Sequence, residues 1–337
     1  MGMLEALPIN EFVFFVNKGI LAGLIIGSIY ALGAVGVTLI FGILRFAHFP
    51  HGDMMTLGAF VALVLTLIAP GVGDLVGLPT AFVLMPVAMV VTAVIAVWLD
   101  KVFYAPLRRA NVKPVVIVMA SIGVMLMMQG LIRVFAGTGT RQLDTGKDIY
   151  RIGVGGRDIV LTEPQLLLFG FTAVAVVALH LFLTRSRMGK AMRAMSDNPD
   201  LARVSGISTD SVVRTTWIIA GALAAAGGTL LALDVTLKPD LSFNIILPIF
   251  AAAIVGGIGQ PYGAIAGGLL VGFTETLAIF NWSVLLRPLE PMLPEWLEIP
   301  AKIAFVPTEY KIVVPFFILV AVLIWRPTGI FKGKLLK

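Results

Sequence analysis

Nine apolar stretches recur along the chain, at about Phe12–Leu44, Met54–Ala69, Thr80–Leu99, Pro114–Ala136, Pro164–Thr184, Val212–Leu233, Phe243–Ile258, Tyr262–Phe280 and Ile312–Trp325. Crossing a hydrocarbon core takes about 20 helical residues, and most of these runs reach or approach that length. In lipid only helices and closed barrels satisfy every backbone N–H and C=O, and the runs lack the alternation of barrel strands. The expected fold is therefore all-α: one polytopic bundle over 1–337, with about nine membrane segments, some of them re-entrant. Composition agrees, since 58% of the 337 residues are hydrophobic and 13% charged, against about 25% charged in soluble chains. With no cysteine, disulfides, thiolate metal sites and cysteine nucleophiles are excluded. The opening residues carry Glu5 and Glu11 and no basic cluster, so the first run is expected to serve as its own insertion signal.

The net charge of +6 is confined to short loops, which reads as topology and not as a nucleic-acid surface. Basic residues cluster at Lys101, Arg108, Arg109 and Lys113, at Arg185, Arg187, Lys190, Arg193, Arg203 and Arg214, and at Arg326, Lys332, Lys334 and Lys337. These segments are expected in the cytoplasm. The balanced segment 137–163 and the segment 281–311, with Glu290, Glu295, Glu298 and Glu309, are expected outside. Threading nine crossings through these assignments puts the N-terminus outside and the C-terminus inside. The first run is the weak point, because about 33 helical residues reach about 50 Å; Gly27, Gly33, Gly36 and Gly42 offer places for a span plus a re-entrant piece. Rows of glycine, Gly19, Gly23 and Gly27, then Gly259, Gly263 and Gly267, suit close helix packing, within the chain or across a dimer face. Within 137–163, Ile152 and Val154, then Gly155-Gly156, then Ile159 and Leu161 spell a small β-hairpin.

The loop 185–214 carries the signals of a short helix. Asn198 is placed to cap, Pro199 suits the first helical position, Asp200 complements the dipole and Gly206 suits a left-handed terminus. Leu201 and Val204 give it an apolar side, for a protein partner or for lipid headgroups. Among intramembrane polar residues, Glu275 beside Thr274 is a candidate for the solute pathway or for an interhelical contact, because ionisable groups at depth face a cavity or each other. Asn244, Gln129 and Arg133 are weaker candidates, and Tyr30 and Thr38 meet solute if the opening run is re-entrant. His48, His51 and Asp53 invite a metal reading, but the intervening Pro50 and Gly52 disfavour it. A turn leading into a helix, with Asp53 favourable at the helix N-terminus, is the preferred reading.

Four stretches together resemble the branched-chain amino acid permease family of ABC importers: GSIYALGAVGVTLIFGILRFAHFPHGD (Gly27 to Asp53), RAMSDNPDLARVSGI, AAAIVGGIGQPYGAIAGGLLVGFTET (Ala251 to Thr276) and WRPTGIF (Trp325 to Phe331). They span nearly the whole chain in the family's order, and the length resembles the shorter of two paired permeases. Pro288 to Tyr310 matches no family pattern. The resemblance implies a non-enzymatic transport subunit of the bacterial inner membrane, and it puts His51, Gly52 and Asp53 in a membrane-edge turn at the start of the second span. Its partners would be a second permease, identical or different, two ATP-binding subunits and a periplasmic or extracellular solute-binding protein. It also implies that 185–214 is a cytoplasmic coupling loop, with Asn198, Leu201, Ala202, Arg203, Val204 and Gly206 meeting the ATPase. No GxxxxGK[ST] loop occurs, so no cofactor is expected on this chain and ATP is expected to be used by partner subunits. An ion-coupled secondary transporter is the alternative, against which stand the missing internal repeat and the few buried carboxylates. A membrane-embedded metalloenzyme would need an HExxH, GxSxG or paired-aspartate constellation, and none occurs.

Overall fold

The first apolar run forms a helix that does not break. In the computed structural model, which describes residues 2–143, 148–154, 156–288 and 299–331, α1 runs from Gly2–Phe15 through a π-helical stretch, Val16–Leu21, into Ala22–Leu44. It ends at Arg45, whose left-handed backbone, φ 60°, stops the hydrogen-bond ladder. The glycines expected as break points are contact points instead. Gly23 and Gly27 pack on Phe273 and Leu269, Gly33 on Ile249, Gly36 on His51 and Gly42 on Gly259. A missing Cβ lets backbones approach, which is what drives helix association where lipid removes the hydrophobic term.

The other elements follow the remaining runs: α2 (His51–Ile68), α3 (Thr80–Leu99, continuing through π-helical Asp100–Tyr104 to Arg109), α4 (Pro114–Ala136), α5 (Glu163–Arg185), α6 (Arg187–Asp197), α7 (Pro199–Val204), α8 (Thr209–Asp234), α9 (Phe243–Gly256), α10 (Pro261–Ile279) and α11 (Val313–Trp325). Seven of these helices are long and apolar enough to cross a membrane, and α9 and α11 are shorter apolar helices. The chain is thus a multi-pass membrane protein. Nine of these helices, the seven long ones with α9 and α11, correspond to the nine apolar runs, and α6 and α7 lie between runs.

Helices α1 and α8 are the most buried and lie at the centre, while α3, α4 and α5 turn more of their surface outward. Helix α10 crosses α1 backbone against backbone. At Gly268 and Gly272 an added Cβ would meet the backbone of Ala31 and Gly27. Gly263 and Gly267 likewise press α10 on Gly256 and Ala252 of α9. Both glycine rows therefore serve packing within the chain.

At one end of the bundle lies the hairpin β1 (Ile149–Val154) and β2 (Arg157–Thr162), antiparallel, with Ile152 opposite Ile159. Gly156 at its turn is left-handed, φ 97°; Gly155 lies outside the described residues. Asn17 of α1 fixes the hairpin, donating from Nδ2 to the Asp158 carbonyl at 2.9 Å and accepting the Val160 N–H at 3.1 Å. Gln165 Oε1 then accepts the Thr162 N–H at 3.2 Å where α5 starts. Glu290, Glu295, Glu298, Lys332, Lys334 and Lys337, used above to assign sides, also lie outside the described residues.

Candidate functional site

The loop end of the bundle carries α6 and α7. Ser186 caps α6, its Oγ accepting from Gly189 N at 2.8 Å. Asn198 caps α7, its Oδ1 accepting from Asp200 N at 3.1 Å and Leu201 N at 3.0 Å. Gly206 follows with φ 81°, and Ile207 N returns to the Ala202 carbonyl at 3.0 Å. These are the end signals legible in the sequence, although α6 itself was not anticipated. The burial splits the residues expected to meet a partner. Leu201 and Val204 are 62% and 85% exposed, while Ala202 is 3% exposed and packed into the core. Ala202 holds α7 on its own protein and belongs to no outer surface. Arg203 is exposed beside Val204. Two bare aliphatic side chains on a capped helix, at the end where basic residues gather, present a small apolar contact face.

A second feature is a turn that doubles back into the bundle. Past Leu44 the chain returns so that His51 lies against Gly36, eight residues and hence about 12 Å back along α1. Phe46, His48 and His51 are 2%, 0% and 0% exposed. His48 meets Trp217 edge to face at 4.8 Å and Tyr104 at 5.6 Å, and Tyr104 stacks on Trp217 at 5.5 Å. The backbone of the turn is held by Phe49 N donating to Ser121 Oγ at 2.9 Å. As expected, His51 begins α2 and Asp53 lies in its first turn, and both are buried among the other helices. The glycine at position 36 opens a slot for the His51 imidazole, and Trp217 and Tyr104 form an aromatic cage around His48. His48 and His51 do not converge with Asp53, which faces Gln129 and Arg133 of α4. Among the described residues no group of three or more His, Asp or Glu is placed to hold a metal.

Beside it α9 also begins inside the bundle. Ser242 N donates to Thr56 Oγ1 at 3.2 Å, and a Cβ on Gly52 would lie 3.0 Å from the Ser242 carbonyl. The first turns of α2 and α9 thus overlap, running in opposite directions. Broken helices that start at depth are tolerated only where protein or a cavity satisfies their ends.

The polar candidates separate. Tyr30 and Glu275 come together, the phenol donating to Glu275 Oε2 at 2.8 Å, and Lys311 Nζ stands 3.7 Å from Glu275 Oε1. Glu275 is 2% exposed. Thr274, next to it, turns its hydroxyl back to the Leu270 carbonyl at 2.8 Å. Thr38 is buried two turns further along α1, its hydroxyl without a hydrogen-bond partner. Asn244 is exposed in the first turn of α9. No composition signal marked Arg45, Tyr104 or Trp217; a left-handed arginine and an aromatic cage are visible only in three dimensions.

A glycine-packed bundle of long apolar helices is that of a multi-pass membrane protein, and its family is one of transport subunits. The chain belongs to the family described as branched-chain amino acid transport system / permease component, whose model matches residues 19–323. It is 29% identical over 318 residues to the high-affinity branched-chain amino acid transport system permease protein BraD of Pseudomonas aeruginosa, covering 91% of this chain and 93% of that one. It is 30% identical over 332 residues to the permease protein LivH of Salmonella typhimurium, covering 95% and 96%. A probable branched-chain amino acid transport permease protein LivH of Methanocaldococcus jannaschii is 29% identical over 273 residues, covering 78% and 82%.

Proposed function

We propose that this chain is the permease subunit of an ATP-driven importer in a bacterial cytoplasmic membrane, and that its solutes are branched-chain amino acids. The observation that carries the reading is the exposed pair Leu201 and Val204 on a helix capped at both ends, in a chain of a permease family. On this reading a protein partner, and not lipid headgroups, covers that face, and the basic loop end is the cytoplasmic one under the positive-inside rule. Asn198, Leu201, Arg203, Val204 and Gly206 receive the ATP-binding subunits, with Ala202 anchoring the helix from behind. A second permease, the same or different, completes the pathway, and a solute-binding protein delivers from the hairpin side. The chain contributes no ATP site.

On this reading exposed Asn244 faces the pathway where the second permease closes it. Tyr30, Glu275 and Thr274 stand toward its outer end, and Thr38 toward its inner end. The solute class follows the relatives named above.

The test is leucine uptake by the assembled complex in vesicles. Uptake should depend on enclosed ATP and survive a protonophore. Uptake that persists without ATP and collapses with the proton gradient would instead favour an ion-coupled secondary transporter.

A further inference from the structure

Two of the basic clusters converge at the loop end, on a cavity of about 550 Å³ between the end of α3, α7 and the start of α8. Five cations line it: Lys101, Arg108 and Arg109 from α3, Arg203 from α7 and Arg214 from α8. Arg108 is paired, donating to the two carboxylate oxygens of Asp100 at 2.6 and 2.9 Å. Lys101, Arg109, Arg203 and Arg214 are exposed and make no ion pair among the described residues. Against these four stands one further carboxylate, Asp210, in the first turn of α8, where the helix dipole favours it. The positive-inside rule accounts for basic residues on this side, but not for three separate segments bringing them to one cavity.

The inner wall of the cavity is apolar, with Leu44, Met195 and Val213 buried, so an anion held there is less screened by water than one at an open surface. The α3 side of the cavity meets lipid. Val91, Val94, Trp98 and Val102 are exposed along one face of α3, the apolar stripe of a helix turned to hydrocarbon. Trp98 meets Phe103 edge to face at 6.4 Å, and such rings mark the level where hydrocarbon gives way to headgroups. Lys101 follows Trp98 by three residues on the same face, so the rim of the cavity stands at headgroup level. Basic pockets between transmembrane helices on the cytoplasmic side bind anionic headgroups. We propose that this cavity binds an anionic phospholipid of the cytoplasmic leaflet, its phosphate among Lys101, Arg109 and Arg214 and its chains lying along the Trp98 face of α3. The lipid then ties the end of α3 to the start of α8, the helix that directly follows the docking helix α7, and the docking helix is held more firmly when the site is filled.

The inference rests on the proposed function only for the leaflet and for the docking role of α7; lipid binding itself does not depend on it. The experiment places the complete transporter in nanodiscs of phosphatidylcholine with increasing phosphatidylglycerol. Native mass spectrometry counts the phosphatidylglycerol retained, and the ATPase rate stimulated by the solute-binding protein is measured alongside. Wild type is expected to retain phosphatidylglycerol over phosphatidylcholine, saturably, and to gain ATPase rate as the site fills. R109Q and R214Q lie at exposed positions where folding is not at stake, and each should weaken retention about fivefold, the worth of one basic residue near an anionic surface. K190Q, at an exposed position of the same end that does not line the cavity, should behave as wild type. Retention in R109Q and R214Q equal to wild type, or an equal loss in K190Q, overturns the site. So does absence of preferential retention in the complete transporter, where acidic groups of the ATP-binding subunits would then cover the cavity. Displacement of the lipid by excess glycerol phosphate overturns it in favour of a soluble phosphate. An ATPase rate indifferent to phosphatidylglycerol while retention holds overturns the tie to α7, whereas no stimulation at any lipid fraction contradicts the proposed function, and retention still decides the site.

Discussion

Arg45 Nη2 donates a 2.8 Å hydrogen bond to the carbonyl of Ser196, joining the end of the central helix to the last turn of α6. The residue that makes this tie also bears a left-handed backbone, φ 60°, which costs a non-glycine residue about 1–2 kcal/mol. Arg45→Gly should therefore be more stable than Arg45→Ala by about 1 kcal/mol, read by thermal unfolding. Both should lose uptake several-fold at matched permease content. Normal uptake in both would remove Arg45 from the route between loop and bundle.

Tyr30 and Glu275 bridge α1 and α10 through a buried hydrogen bond. Tyr30→Phe leaves the carboxylate short of a donor, and removal of a buried partner costs about 1–3 kcal/mol. Glu275→Gln keeps an oxygen for the phenol but loses the attraction to Lys311. It should reduce uptake more than it reduces the amount of assembled complex. Unchanged uptake would confine Glu275 to holding the two helices.

Glycines divide into those that permit close approach and those that do not. Gly272→Leu should prevent accumulation of the permease in membranes, since its Cβ position already overlaps the Gly27 backbone. Gly130→Ala meets nothing within 4 Å and should be neutral or stabilise by about 0.5–1 kcal/mol through helix propensity. Equal membrane content of the two variants would contradict the packing account.

Sidedness is open to direct labelling because the chain has no cysteine. Ser208→Cys, in the basic loop, should react only from the cytoplasm, and Arg157→Cys, on the hairpin, only from outside. Labelling from one common side would overturn the threading and the placement of the docking face together.

Much of the fold was legible because its dominant constraint is one-dimensional. Long apolar runs must be helices in lipid, and each run became one. The caps on α7 were equally local: Asn198, Pro199 and Gly206 act within a few residues of themselves. What escaped depends on contacts between distant segments. The glycines of α1 read as breaks because a 36-residue helix, Ile9–Leu44, exceeds a bilayer core, whereas their use is set by Phe273, Leu269, Ile249 and His51. The start of α2 at His51, with Asp53 in its first turn, was legible; the cage that Trp217 and Tyr104, far along the chain, build around His48 was not. Ala202 looked like part of the docking face because a two-turn helix has too little periodicity to say which side is buried.

The central claim is that α7 receives motion from an ATPase partner through Leu201 and Val204, and substitution of those two residues tests it most directly. Both side chains are exposed, so the paired variant Leu201→Glu, Val204→Glu should insert and fold normally. It would place unpaired charge in a contact that must exclude water, which opposes association. Gly206→Val should be milder, because no atom lies within 4 Å of its added Cβ and only the left-handed backbone, φ 81°, is strained. The measurement is ATPase stimulation by the solute-binding protein, with leucine uptake, in reconstituted vesicles at matched permease content. The account predicts loss of both activities by about tenfold or more in the paired variant and a partial loss in Gly206→Val. Full stimulation and uptake in the paired variant would contradict it.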